Sequence, residues 1–229
     1  MERLKLTPNT LETAVEAAAI ILEQGGVILY PTDTLYGLGA DAFSDEAVHN
    51  VYEIKGRDER KPIHCIVADI AMAEEYADIS ADARLLFERL VPGGLTVILK
   101  KKPHVSQGIG RDIETIGIRI PNNVFCRQLV KEFGRPFTAT SANVAGHAPE
   151  RSVDEILKQF SYSSILPSFA EASEEKQKTR IDLIIDAGEL PASQPSTVVD
   201  LSGEEPVILR EGVIPAADVW NAILEMRDN

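Results

Sequence analysis

Apolar residues recur at helical spacing over 10–24, where Leu11, Ala14, Val15, Ala18 and Leu22 share one face and Gly25-Gly26 supplies a stop. A short apolar run from Val27 to Tyr30, closed by Pro31, predicts a strand directly after that helix. Ser44 is placed to cap a helix whose inner face is Ala47, Val48, Val51 and Tyr52, with Asp45 and Glu46 favourable in its first turn. Ile63 to Val67 reads as a buried strand, and Ser80 caps a helix carrying Leu85, Leu86 and Leu90 inward. Leu95 to Leu99 reads as a strand after the Pro92-Gly93-Gly94 turn.

Thr115 to Ile120 changes the period to two: Ile116, Ile118 and Ile120 share one face, while Thr115, Gly117 and Arg119 share the other. Pro121 fits the first turn of a helix that buries Phe125, Leu129 and Phe133 and stops at Gly134. A strand over Pro136 to Thr140 follows, and Ser152 with Glu155 forms a capping box ahead of Ile156, Leu157 and Phe160. Periodicity is lost over 161–180, which predicts an exposed insertion. Three late strands, 181–185, 197–201 and 207–209, precede a terminal helix opened by Pro215 and running through Trp220, Ile223 and Leu224. Some eight strands mixed with five or six helices, without strict alternation at the C-terminal end, predict an α/β (α+β) fold: a twisted mixed sheet with flanking helices, in a single domain over 1–229.

Composition narrows the function. The 229 residues are 44% hydrophobic, 26% charged and 6% aromatic, which fits a globular chain and excludes disorder, collagen-like repeats and a disulfide scaffold. Cys65 and Cys126 lie far apart and read as small buried hydrophobes, and His49, His64, His104 and His147 show no metal-ligand spacing. The longest uncharged stretch near the N-terminus, Ala17 to Leu22, is far short of a membrane span, and no signal peptide is evident, so a cytoplasmic protein without membrane contact is expected. With 23 Lys+Arg against 36 Asp+Glu the net charge is −13, which argues against coating nucleic acid through bulk charge and turns attention to local clusters of cations.

The densest cluster is Lys55-Gly56-Arg57-Asp58-Glu59-Arg60-Lys61-Pro62, where Lys55 and Arg57 flank a glycine that lets backbone approach a ligand. An anion site there competes with a solvated loop at a helix C-terminus. Thr138-Ala139-Thr140-Ser141-Ala142-Asn143-Val144-Ala145-Gly146 is a run of small residues that could turn several N–H groups toward one oxyanion, or form an ordinary Ser/Thr/Asn turn. Ser141 lacks the G-x-S-x-G surroundings of a nucleophile. Arg119 and Thr115 on one strand face, Arg210, Ser196 and Thr197 are further candidates for holding an anion, whereas Lys100-Lys101-Lys102 reads as an edge guard. Gly37-Leu38-Gly39-Ala40-Asp41-Ala42 matches a dinucleotide fingerprint but is separated from its strand by Pro31 to Tyr36, so a turn with positive φ is expected instead, and no P-loop is present.

Pro31-Thr32-Asp33-Thr34-Leu35-Tyr36-Gly37-Leu38-Gly39, Lys55-Gly56-Arg57, Ser141-Ala142-Asn143, Ser196-Thr197-Val198-Val199-Asp200 and Leu209-Arg210-Glu211-Gly212 together resemble the YrdC/TsaC family of threonylcarbamoyl-AMP synthases, in its short form, from about Leu11 to Ile214. The resemblance implies a YrdC-like fold with a concave, positively lined cavity. It also implies synthesis of threonylcarbamoyl-adenylate and pyrophosphate from threonine, bicarbonate and ATP with Mg²⁺, without a tightly bound cofactor or a protein metal site. The product would feed the threonylcarbamoyladenosine modification at position 37 of tRNA through a downstream transferase complex, with direct tRNA contact left open. Carried over by position, Lys55, Arg57, Ser141 and Asn143 are implied as the catalytic, ATP-binding quartet, with Lys61, Thr115 and Arg210 also on the ATP side. Thr34, Arg119 and Ser196 are implied on the threonine side. A YciO-like paralogue with another substrate and a non-catalytic RNA-binding module are the alternatives.

Overall fold

The computed structural model describes residues 2–162 and 181–224. Its ten strands are β1 (Glu2–Lys5), β2 (Ile28–Pro31), β3 (Tyr36–Gly39), β4 (His64–Ile66), β5 (Leu95–Lys100), β6 (Thr115–Arg119), β7 (Phe137–Ser141), β8 (Leu183–Asp186), β9 (Thr197–Asp200) and β10 (Val207–Arg210). The helices are α1 (Leu11–Glu23), α2 (Asp45–Lys55), α3 (Ile70–Tyr76), α4 (Ala81–Leu90), α5 (Val124–Phe133), α6 (Val153–Tyr162) and α7 (Ala216–Leu224). The strands form one mixed sheet in the order β1-β8-β2-β3-β7-β4-β6-β5-β9-β10. The expected mixed sheet with flanking helices is therefore present, and none of the described helices is long and apolar enough to cross a membrane.

Local chemistry sets the helix ends. Ser44 and Ser80 cap α2 and α4, each hydroxyl accepting from the backbone N–H three residues on at 3.2 Å. α5 departs from expectation: Pro121 lies outside it, and Asn123 is the cap, its side-chain oxygen accepting from Cys126 N–H at 3.1 Å. An amide at the cap satisfies an orphan donor, which a proline two residues earlier cannot do. Ser152 accepts from Glu155 N–H at 3.4 Å, as half of the expected box. In α7 the buried residues are Val219, Ala222 and Ile223, while Trp220 and Leu224 are turned outward. The expected insertion over 161–180 lies, apart from its first two residues, outside the described residues.

Gly37 and Gly39 belong to a strand rather than to a turn with positive φ. The ring of Tyr30 on the paired strand crosses them: a Cβ at Gly37 would lie 2.9 Å from Tyr30 Cζ, and one at Gly39 2.9 Å from Ile28 Cγ1. These glycines are there for close packing, the second use of a glycine in a strand.

Two apolar layers flank the sheet. On one face α1 and α5 pack Leu22, Phe125, Leu129 and Phe133 against Ile28, Tyr30, Ile66, Phe137, Leu183 and Ile185. On the other, Val51, Leu86, Ile156 and Val219 cover Leu29, Leu38, Cys65, Val97, Ile118 and Val199. The α1/α5 layer draws nothing from β6, β5, β9 or β10. Because side chains alternate across a strand, Arg119 and Gly117 face away from Ile116 and Ile118, toward the side where that layer stops. The uncovered part of that face is the floor of a cavity.

Candidate active site

The space within this cavity is about 810 Å³, solvent at its open mouth included. Its lining includes Arg57, Arg119, Arg210 and His64, the hydroxyls of Thr32, Thr34, Thr96, Thr140, Ser141 and Ser196, and Asn143, and among the described residues no Asp or Glu. In a chain of net charge −13 this is a local concentration of cations, as an anion site requires.

The β2–β3 connection builds one wall. Thr32 Oγ1 donates to Leu35 O at 2.7 Å and accepts from Thr34 N–H at 3.0 Å, which folds 32–35 into a tight turn. That turn presents Asp33 and Thr34 to Arg119 on β6, whose Nη2 donates to Asp33 Oδ1 at 2.6 Å and Thr34 Oγ1 at 2.9 Å. Arg119 is 8% exposed, and its Nε–H is the one buried side-chain polar group without a partner among the described residues. An unpaired buried donor of this kind is costly unless a ligand completes it.

The β4–β6 register brings His64 across Gly117. A Cβ on Gly117 would lie 2.4 Å from His64 Cδ2, so only glycine leaves room for the ring. Burial, followed by the charges of Arg210, Arg57 and Arg119, pushes the His64 imidazole down to about 4. At neutral pH it is uncharged. On the C-terminal side Thr96 Oγ1 and Ser196 Oγ are 2.9 Å apart. Arg210 Nε and Nη2 donate to Ser196 O at 3.0 and 2.9 Å, and Nη2 reaches Ser196 Oγ at 3.2 Å. Arg57 enters from the turn after α2, held by Lys61 O at 3.3 Å and Pro62 O at 3.2 Å.

The Ser141 loop differs from the nest of N–H groups that its composition suggests. Ala142 N–H donates to Tyr36 O at 2.8 Å, Val144 N–H to Gln159 Oε1 at 2.8 Å and Ala145 N–H to Lys55 O at 2.8 Å, while Asn143 N–H turns back to Ser141 O at 3.0 Å. The donors are used within the fold because the loop leaves β7 packed between β3 and α2. What it offers the cavity is the side chains of Ser141 and Asn143, which bond to each other.

Of the residues singled out in the sequence, Arg57, Ser141, Asn143, Arg210, Thr34, Arg119 and Ser196 line the one cavity. Lys55 sits behind the loop, 2% exposed. The Lys61 side chain is exposed outside the lining, its carbonyl serving as an acceptor for Arg57 and for Tyr52 OH at 3.0 Å. Thr115 pairs with Lys100 at the opposite end of β6, about 13 Å along the strand from Arg119 at ~3.3 Å per residue. Thr197 turns away from the cavity, its hydroxyl donating to Ile214 O at 2.6 Å. His64 and Thr96 are cavity residues that no motif contains, and Thr32 lies in a motif that gave it no role. Only the strand pairing reveals His64, by seating it against Gly117. Cys65 and Cys126 are buried and free, as expected.

The chain was compared with known proteins. The Sua5/YciO/YrdC family model, described as telomere recombination, matches residues 20–167 and 161–212. A Pyrococcus abyssi protein named threonylcarbamoyl-AMP synthase is 32% identical over 217 residues, which are 94% of this chain and 59% of that protein. This chain thus spans about three fifths of that relative's length. The crystal structure of P. abyssi Sua5 complexed with L-threonine aligns with a TM-score of 0.79 and 30% identity over 97% of this chain and 60% of that one. E. coli YciO aligns with a TM-score of 0.74 and 27% identity over 93% of this chain and 95% of its own. With more than half of its length matched by the family model, the chain belongs to the Sua5/YciO/YrdC family.

Proposed function

We propose that this protein, acting as a single YrdC-like domain, is a threonylcarbamoyl-AMP synthase. The observation that carries the reading is the convergence of Arg57, Arg119 and Arg210 on one cavity walled by hydroxyls. The reaction needs that arrangement. Threonine's amine attacks the carbon of bicarbonate and water leaves, giving a carbamate. A carbamate oxygen then attacks the α-phosphorus of ATP, and the bond from that phosphorus to the bridging oxygen breaks to release pyrophosphate. Two anions must be held together, so fixed cations that offset both charges lower the barrier by positioning and by electrostatics.

The geometry supports a role for each. Arg119 has Nε–H free beside the Thr34 hydroxyl, which suits a carboxylate of threonine. Arg57 and Arg210 suit the phosphates, and Ser141 and Asn143 border them, with the donors of both side chains held within the loop. Neutral His64 between the arginines can accept a hydrogen bond without adding charge repulsion to a threonine ammonium. Magnesium would enter with ATP, as part of the substrate. The product would pass to a tRNA threonylcarbamoyl transferase.

A second reading, a YciO-like protein with another substrate, is favoured by the end-to-end likeness to E. coli YciO. An RNA-binding module has less support, since no broad basic stripe accompanies a net charge of −13. The deciding experiment is pyrophosphate release from ATP and Mg²⁺ with threonine and bicarbonate omitted in turn. We expect release to require both. ATP binding without dependence on either would transfer the assignment to the YciO-like reading.

A further inference from the structure

We propose that Lys55 is a positioning residue, whose ammonium stands in a cage of carbonyls behind the Ser141–Asn143 loop and sets the two side chains that the loop presents to the cavity, without itself touching substrate. This rests on the synthase reading for what the cavity binds, and on geometry alone for what Lys55 does.

Lys55 is the last residue of α2, and Gly56 after it takes a left-handed conformation (φ 56°). That turn sends Lys55 and Arg57 in different directions. Arg57 lines the cavity, whereas Lys55 does not. Lys55 Nζ donates to Ser141 O, to Asn143 O at 2.8 Å and to Asn143 Oδ1 at 3.4 Å. An ammonium has three N–H groups, so these three acceptors use them all and leave none for a phosphate oxygen. The contact is doubled through the backbone, since Lys55 O accepts from Ala145 N–H at 2.8 Å.

No carboxylate shares the site: Lys55 appears in none of the ion pairs of the described residues. A buried cation whose counter-charge is carbonyl dipoles alone is costly to keep. Burial, with the charge of Arg57 adding to it, pushes the Lys55 ammonium down to about 7. The loop gains a definite shape in return. Its two inward carbonyls and the Asn143 side-chain oxygen point at Nζ, and Asn143 Nδ2 is thereby turned to Val144 O at 3.0 Å and His147 O at 2.7 Å. Ser141 Oγ donates to the same Asn143 oxygen that Nζ holds. Take the ammonium away and three oxygens face one another with nothing between them.

The test has two readouts on the full chain. The first uses the free protein. Amide exchange at Ala142, Asn143 and Ala145 in Lys55→Met, a neutral side chain of similar length, should be faster by tenfold or more than in the wild type. Exchange in the core strands should be unchanged. The second is a double-mutant cycle on ATP binding measured by calorimetry, with Lys55→Met, Asn143→Ala and the pair. A positioning residue acts through the loop, so Lys55→Met should weaken ATP tenfold or more in the wild-type background and less than twofold once Asn143 is gone. In Lys55→Ala, which leaves room for a small cation, millimolar ethylammonium should recover a severalfold part of the lost affinity. Additive losses in the cycle, or loop exchange unchanged by Lys55→Met, would overturn the proposal in favour of a direct phosphate contact. If the wild type binds no ATP, the synthase reading fails while the exchange measurement still decides the role of Lys55.

Discussion

Arg119 shows how one residue ties the fold to the cavity. Its Nη2 is committed to Asp33 and Thr34 and its Nε–H is not, so the protein holds the guanidinium rigid and keeps the Nε donor available. Arg119→Lys keeps the charge and loses the planar fork, and should raise the threonine requirement about tenfold or more while changing the ATP requirement less. Steady-state pyrophosphate release with each substrate varied checks this; the opposite ranking would exchange the two halves of the cavity. His64 provides a pH test. The folded protein keeps it neutral down to about pH 4, whereas the unfolded chain protonates it near 6.5. Between those values the unfolded state binds more protons, so His64 makes stability fall as pH drops from 6.5 toward 4. Urea midpoints across that window should fall less steeply in His64→Gln, and equal slopes would show that the imidazole is not held neutral.

Elements were legible where a side chain or a period acts locally. The Ser44 and Ser80 caps and the Phe125–Leu129–Phe133 face of α5 follow from residues within one or two turns, and all are present. Asn123→Ala should cost about 1 kcal/mol in urea unfolding, the usual cost of losing a cap, with activity unchanged because α5 packs on α1 rather than on the cavity. No loss of stability would mean that the cap bond is replaced by water. β1 and β3 were missed for a tertiary reason. The four residues of β1 become a strand by pairing in parallel with β8, some 180 positions away, and β3 looks like a turn because its glycines answer to the Tyr30 ring on its partner.

At the scale of the molecule, the cavity exists because the α1/α5 layer covers only part of its face of the sheet. Its walls come from the β2–β3 turn, the turn after α2, the loop after β7 and the segment before β9. Ligands that bridge those walls should stabilise the whole fold by mass action. ATP and threonine together, at 100 times their dissociation constants, should add about 2.7 kcal/mol for each independent site. Each such increment corresponds to roughly 5–11 °C in Tm for a chain of this size. Thermal unfolding with and without the ligands checks it, and an unmoved midpoint would show that the folded protein does not bind them.

Which residue types this protein would use was set within the sequence: the K-x-R and S-x-N motifs, the arginine on a period-two strand and the local caps are all short-range patterns that a single chain displays. Which of them face the cavity was decided by tertiary structure. Motif spacing treats Lys55 and Arg57 alike, but the left-handed Gly56 between them sends one behind the loop and the other into the cavity. Small hydroxylated residues suggest a nest of N–H groups, but packing against β3, α2 and α6 uses those donors and turns the carbonyls inward around an ammonium. His64 acquires its place only when β4 pairs with β6. Periodicity reports which face a residue occupies, whereas the direction of a polar group depends on partners distant in the chain, because every buried donor and acceptor must be satisfied by whatever the fold brings to it.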